Sequence, residues 1–187
     1  VLRQQLSLRV DALAPVDEAP ARMRLDGELT TADQADPLAV QSAVTATQAD
    51  RRLEIEWHHG AAGLSHGFRI GGIRRDGEPA PVVLRWDGEP LAVEESGERE
   101  YPVPAEGAFQ VTAARTLSYP QPHIRVQFSQ PLMGSQDTTG LVRVDGEEAR
   151  VRIDGSQLLV YPAGEAGEDG AVTLAVGAGL RSASRVR

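Results

Sequence analysis

Three of the chain's four histidines, His58, His59 and His66, fall within nine positions, dense enough in imidazole for a transition-metal site. The first two end an alternating run at residues 53–57 (LEIEW). Successive strand residues leave opposite faces, so His58 and His59 cannot address one ion while the strand continues. Zinc requires three or four ligands with supporting hydrogen bonds. The trio is therefore expected to be solvated loop histidines near a strand end, without a metal.

The adjacent carboxylates Asp17-Glu18, Glu94-Glu95 and Glu147-Glu148 are the residue type that acid–base hydrolysis recruits. Neighbours on a strand splay apart, and hairpin turns ordinarily carry solvated charge. Asp137-Thr-Thr-Gly140 offers oxygens suited to calcium, but a calcium loop brings several more acids at fixed spacing. Capping of nearby backbone N–H groups by Asp137 and Ser135 is the preferred reading. Ser118 and Ser129 lack the context of a nucleophile elbow, and Gly71-Gly72 lacks the strand-to-helix setting of a phosphate loop. No catalytic, cofactor-binding or metal residue is assigned, and the chain is expected not to be an enzyme.

The elements around these residues read as strands. Gly 19 and Pro 12 with 4% aromatics among 187 residues suit short strands and tight turns, and no window holds a helical period. Residues 123–146 (HIRVQFSQPLMGSQDTTGLVRVDG) are the most telling: an alternating strand, a Phe-Ser-x-Pro-Leu end, a polar loop and a second strand. Further strands are expected around Leu6, Leu8 and Val10, over residues 22–30, 53–57, 67–70, 82–86 and 90–93, and then over 108–114, 124–128, 141–144, 151–153, 158–161 and 171–176. Residues 11–21, with Pro15 and Pro20, read as a turn, and Asp87-Gly88, Asp145-Gly146 and Asp154-Gly155 as hairpin turns. Pro37 opens a loop or single helical turn that leads into a strand near residues 40–47. Trp57, Phe68, Trp86, Phe109, Phe128 and Tyr161 are expected to be core aromatics on strands.

The fold class is all-β, as two tandem antiparallel β-sandwich domains over residues 1–106 and 107–187, joined by the linker 101–107 (YPVPAEG), which would permit movement between blocks. The halves parallel each other: residues 22–29 with 123–130, 53–57 with 158–161, and 67–73 with 171–176.

The net charge of -8, with every base an Arg and an evenly sprinkled surface, speaks against nucleic-acid binding. Without Cys there is no disulfide, thiolate metal site or cysteine catalysis in this sequence. No apolar run approaches a membrane span and no signal peptide opens the sequence. Because it begins at Val1, it is expected to be a processed or excised piece, with any targeting segment upstream.

The chain resembles the amino-terminal region of the bacterial alpha-2-macroglobulin family. The resemblance is carried by residues 82–93 (VVLRWDGEPLAV), 101–104 (YPVP), 109–111 (FQV), 126–132 (VQFSQPL), 139–146 (TGLVRVDG) and 178–182 (AGLRS), and spans residue 20 to the end. It implies Ig-like, macroglobulin-like sandwiches from a very large periplasmic protease inhibitor, commonly lipid-anchored, that closes around a protease once a bait segment is cut. Some such proteins add a reactive Cys-Gln thioester, which this Cys-free sequence cannot supply. The implied partners are the remaining domains of the parent, target proteases met through it, and a peptidoglycan-synthesising penicillin-binding protein. Membrane contact would come only through a lipid anchor outside this sequence. Two rival readings are a cell-envelope Ig-like module recognising a protein or glycan, and a carbohydrate-active enzyme, which would need a cleft of convergent carboxylates and exposed aromatics.

Overall fold

Alternation sets the first sheet. In β2 (Ala19–Thr31), Met23, Leu25 and Leu29 are fully buried while Arg24, Asp26 and Glu28 occupy the intervening positions. The computed structural model describes residues 5–16, 19–76, 80–163 and 172–183. The carboxylate pair Asp17-Glu18 and positions Leu2 and Ala171 lie outside the described residues. The chain divides into two units, Val1–Glu106 and Gly107–Arg187.

Unit 1 holds β1 (Leu6–Val16), β2, β3 (Val44–Gln48), β4 (Arg51–Arg52), β5 (Ile55–His59), β6 (Ser65–Arg74), β7 (Val82–Asp87) and β8 (Ser96–Tyr101), with helix α1 (Pro37–Ala43). Its antiparallel sheets run β1-β2-β6-β5 and β4-β3-β7-β8. Leu25, Leu29, Phe68 and Ile70 of the first share one core with Ala46, Val82 and Leu84 of the second. Unit 2 holds β9 (Val111–Leu117), β10 (His123–Phe128), β11 (Val142–Val144), β12 (Glu147–Glu148), β13 (Arg150–Asp154), β14 (Gln157–Tyr161) and β15 (Leu174–Val176). Its sheets run β9-β10-β14-β13 and β12-β11-β15, around a core that includes Val126, Phe128, Val142, Leu158 and Val160.

Both units thread their strands alike. The first and second strands pair, the third and fourth pair in the opposing sheet, the sixth returns beside the second with the fifth at its edge, and the seventh joins the third. This is the strand order of immunoglobulin-type sandwiches, with A-B-E-D facing a sheet centred on C and F. The chain is all-β and antiparallel, with one α-helix among the described residues.

Only one of the three sequence parallels matches equivalent strands. Residues 22–29 and 123–130 correspond, through β2 and β10. The counterpart of β5 is β13 rather than residues 158–161, and that of β6 is β14 rather than residues 171–176. Short alternating segments resemble one another whatever their neighbours, and only pairing tells them apart.

Several boundaries also differ from expectation. The expected turn over residues 11–21 is narrower than that: β1 continues to Val16 and β2 starts at Ala19, so residues 11–16 and 19–21 are strand. An edge strand tolerates Pro15, and the ladder is irregular between Val10 and Leu13 and again at Pro15. Pro37 opens a seven-residue helix, Asp36 Oδ1 accepting from Leu38 N at 3.0 Å, so Val40 is helical and β3 begins at Val44. Asp87-Gly88 begins a longer connection, in which Asp87 Oδ1 accepts from Glu89 N (3.0 Å), a 3-10 turn covers Glu89–Leu91 and Gly88 N reaches Glu95 O (2.8 Å). Residues 90–93 are therefore not a strand. Asp145 and Gly146 do form a two-residue turn, with φ of 52° and 88° as a type I′ hairpin needs. In the next hairpin the central pair is Gly155-Ser156, since Asp154 pairs with Gln157. Phe109 precedes β9 rather than lying in a strand, and stacks on Phe128 at 5.2 Å.

The charge is not evenly spread. Residues 1–106 carry 19 acids against 11 Arg, and residues 107–187 carry 8 of each, so the entire surplus belongs to unit 1. No helix among the described residues is long and apolar enough to cross a membrane.

Candidate functional site

The densest meeting of titratable rings lies where β5 and β6 join. Pairing sets His59 opposite His66, bringing His59 Nδ1 to 2.9 Å from His66 Nδ1. His66 Nε2 lies 3.2 Å from Gly63 O, and Gln41 Nε2 of α1 lies 3.3 Å from His59 Nε2. Trp57, two residues before His59 and on the same face, stacks parallel to its ring at 5.9 Å. His58 takes the opposite, exposed face, as strand alternation requires.

His66 is 0% exposed, which corrects the expectation of solvated loop histidines. It occupies an inward position of β6, in series with Phe68 and Ile70. Its sequence neighbours Ser65 and Gly67 carry no sign of burial; only the continuation of the period-2 pattern upstream of Phe68 could have revealed it. Among the described residues no group of three or more His, Cys, Asp or Glu is placed to hold a metal.

Burial, then the neighbouring His59, push the His66 imidazole below its ordinary 6.5, while the bond to Gly63 O works the other way. With the folded value lowered, the unfolded chain binds the proton more readily. The stabilisation is thus complete above 6.5 and is lost as pH falls through that value toward the folded one. Urea denaturation of unit 1 is expected to lose up to about 1.4 kcal/mol per pH unit through this linkage. The slope should be correspondingly flatter in H66Q, and equal slopes would show that His66 is not the linked group.

The Phe-Ser-x-Pro-Leu strand end of unit 2 is a buried polar hub. Ser129 Oγ donates to Ala108 O (2.6 Å) and accepts from Gln110 N (3.0 Å), while Ser129 N donates to Gln110 O (2.9 Å). Gln130 Nε2 also reaches Ala108 O (3.3 Å), and its Oε1 accepts from Ser182 Oγ (2.6 Å). Leu132 N donates to Gly155 O and bridges Ser182 across a short antiparallel contact. Ser129 is therefore a fastener, with its hydroxyl bonded to backbone on both sides. Ser129→Ala is expected to cost unit 2 about 1 kcal/mol in chemical denaturation, because the bonds of the buried hydroxyl to the part-buried Ala108 carbonyl and the Gln110 N–H are lost.

The remaining chemistry-bearing residues are dispersed. Glu94 and Glu95 are exposed in the β7–β8 connection, and Glu147 and Glu148 are exposed on β12, where Glu148 Oε1 accepts from Gly140 N (2.8 Å). Asp137 Oδ1 accepts from Thr139 N (3.0 Å), and hydrogen bonds from Thr139 hold its carboxyl below the usual range, so it caps a turn. Ser118 is exposed in the β9–β10 connection. Gly71 and Gly72 face a single residue of β2, Arg24, forming a β-bulge in which Gly72 takes φ 69°. Of the expected core aromatics, Phe68 and Phe128 are in the two cores, and Trp57, Trp86 and Phe109 are half-buried against them, whereas Tyr161 lies outside the core of unit 2 and packs on His123 at 5.7 Å.

Residues 103–106 are fastened to unit 1. Val103 is in its core, and the buried Arg75 donates from Nε to Pro104 O (3.0 Å) and from Nη2 to Ala105 O (2.8 Å). Nothing in the local run Arg74-Arg75-Asp76 singles out Arg75 for burial.

Comparison with protein-family models, curated proteins and solved structures finds no match to this chain.

Proposed function

We propose that this chain is a non-catalytic scaffold, the amino-terminal region of a bacterial periplasmic protease trap of the alpha-2-macroglobulin type, whose parent is held at the inner membrane as a lipoprotein. The observation that carries the reading is the use of its signature residues: the Phe-Ser-x-Pro-Leu end binds backbone rather than facing solvent. Two sandwiches of one topology, each closed around its own core, are stiff blocks suited to carrying load. The partners on this reading are the parent's other domains, proteases engaged through the parent, and a peptidoglycan-synthesising penicillin-binding protein.

The test compares this chain with its full-length parent against a panel of endoproteases. The chain alone should leave cleavage of both protein and small peptide substrates unchanged. The parent should block protein substrates and spare small ones, as physical enclosure does. Inhibition by the chain alone would overturn the scaffold role. Strong retention of one envelope protein or glycan by the isolated chain would favour the Ig-like binding module instead.

A further inference from the structure

The hydrogens of the histidine cluster can be assigned from chemistry alone. Gly63 O can only accept, so His66 Nε2 carries a hydrogen and the neutral ring offers Nδ1 as acceptor. His59 Nδ1 must then donate to it, leaving His59 Nε2 to accept from the Gln41 amide. One arrangement of hydrogens satisfies all three contacts, with both rings neutral.

That chain of bonds ties three segments together. Gly63 O also receives Ala35 N (2.9 Å), and Leu64 O receives Thr31 N (2.9 Å), joining the 60–64 loop to the stretch that precedes α1. Gln41 extends the tie to α1 itself, whose buried anchors are Val40 and Ala43.

We propose that the His59–His66 pair is a proton-operated latch: with both rings neutral it holds the 60–64 loop, the 32–36 stretch and α1 to the end of the first sheet, and proton uptake unfastens them. A proton on His66 Nδ1 would set two N–H groups face to face at 2.9 Å, replacing the central bond with repulsion. The ring has no exposed surface through which water could solvate the charge.

Among the described residues, the charged groups near the pair are turned away or engaged elsewhere. On β5, Glu56 and His58 take the opposite face; on β2, Glu28 is engaged with Arg9 and Ser65; on β6, Arg69 binds Asp26. α1 carries no charged residue, Asp36 before it caps Leu38 N, and Asp33 is exposed. The loop is the part most open to yielding, since Gly60, Ala61 and Ala62 are exposed while Leu25, Leu29, Phe68 and Ile70 of the β2–β6 ladder are buried.

The latch is independent of the protease-trap reading and is tested on the same 187-residue chain. Nitrogen NMR of the imidazoles at pH 7.5 should find His59 in the Nδ1–H tautomer and His66 in the Nε2–H tautomer; His59 in the Nε2–H form would overturn the assignment. On acidification from pH 7.5 to 5, a second set of amide signals should grow for residues 32–43 and 60–66. Its population should rise about tenfold per pH unit for each linked proton. Leu25 and Ile70 in the ladder should keep their shifts. H58Q should respond like the wild type, H59Q more weakly and H66F not at all. If H66F does not fold, the wild-type tautomers together with H59Q decide. Unmoved loop signals at pH 5, or a uniform loss of dispersion, would sink the latch.

Discussion

Arg75→Ala is expected to destabilise unit 1 by about 3–5 kcal/mol, the largest effect of any single substitution we consider. The side chain is 1% exposed, and its guanidinium satisfies the carbonyls of Pro104 and Ala105. The buried Pro104 carbonyl left without a donor costs roughly 1–3 kcal/mol, the more exposed Ala105 carbonyl less, and the vacated volume adds a packing loss. The main chain of Arg75 is bound on both sides, its N to Ala21 O (3.1 Å) and its O by Glu106 N (3.3 Å), so the site has little freedom to collapse. Burial pushes the guanidinium's proton affinity down and Glu106 partly restores it, but an arginine stays charged at any ordinary pH. Arg75→Met keeps most of the stem and should recover the packing share. Arg75→Lys keeps the charge but loses the planar fork that serves two carbonyls at once, and should fall between Met and wild type. Urea midpoints of the four proteins measure this order, and an Ala variant within about 1 kcal/mol of wild type would show that the clasp is not what secures residues 103–106.

Arg75 also marks the limit of what sequence reading can reach here. Strands such as β2 and β10 are legible because one face is buried and the other wet, which writes a period of two into the chain. Asp145-Gly146 is legible because a type I′ turn demands positive φ at both positions. The full length of β1 is hidden by Pro15, which argues for a turn until the strand is known to lie at a sheet edge. The β7–β8 connection is hidden because Asp-Gly serves equally well as the start of a longer loop capped by Asp87. Arg75 and His66 belong to a third kind. Their burial depends on carbonyls and rings that are 29 and 7 residues away, and no local pattern encodes such partners. The candidate site was thus half visible: the histidines stood out as a cluster, but their pairing and the role of Gln41 follow only from strand register and the placement of α1.

Gly27→Ala, the mildest possible substitution, is expected to cost unit 1 about 3 kcal/mol, at the upper end of overpacking penalties. Gly27 lies opposite Phe68 in the β2–β6 ladder and opposite Val10 in the β1–β2 ladder. A Cβ there would sit 2.3 Å from Phe68 Cζ and 2.8 Å from the Arg9 carbonyl oxygen. The Arg9 oxygen belongs to backbone held in the sheet. The Phe68 ring is 3% exposed and packs against Trp57 at 5.3 Å, so it has nowhere to retreat. Glycine is required here because an aromatic ring lies over the strand, whereas at Gly72 the requirement comes from the backbone dihedral. The two causes separate experimentally. Phe68→Leu costs packing on its own, but it removes the atoms that meet the new methyl. The double variant G27A/F68L should therefore be about 1 kcal/mol more stable than the sum of the two single changes predicts. Gly71→Ala supplies the contrast, since a Cβ there would meet nothing within 4 Å, and its stability should stay near wild type. Strict additivity of G27A with F68L would place the strain on the Arg9 carbonyl rather than the ring.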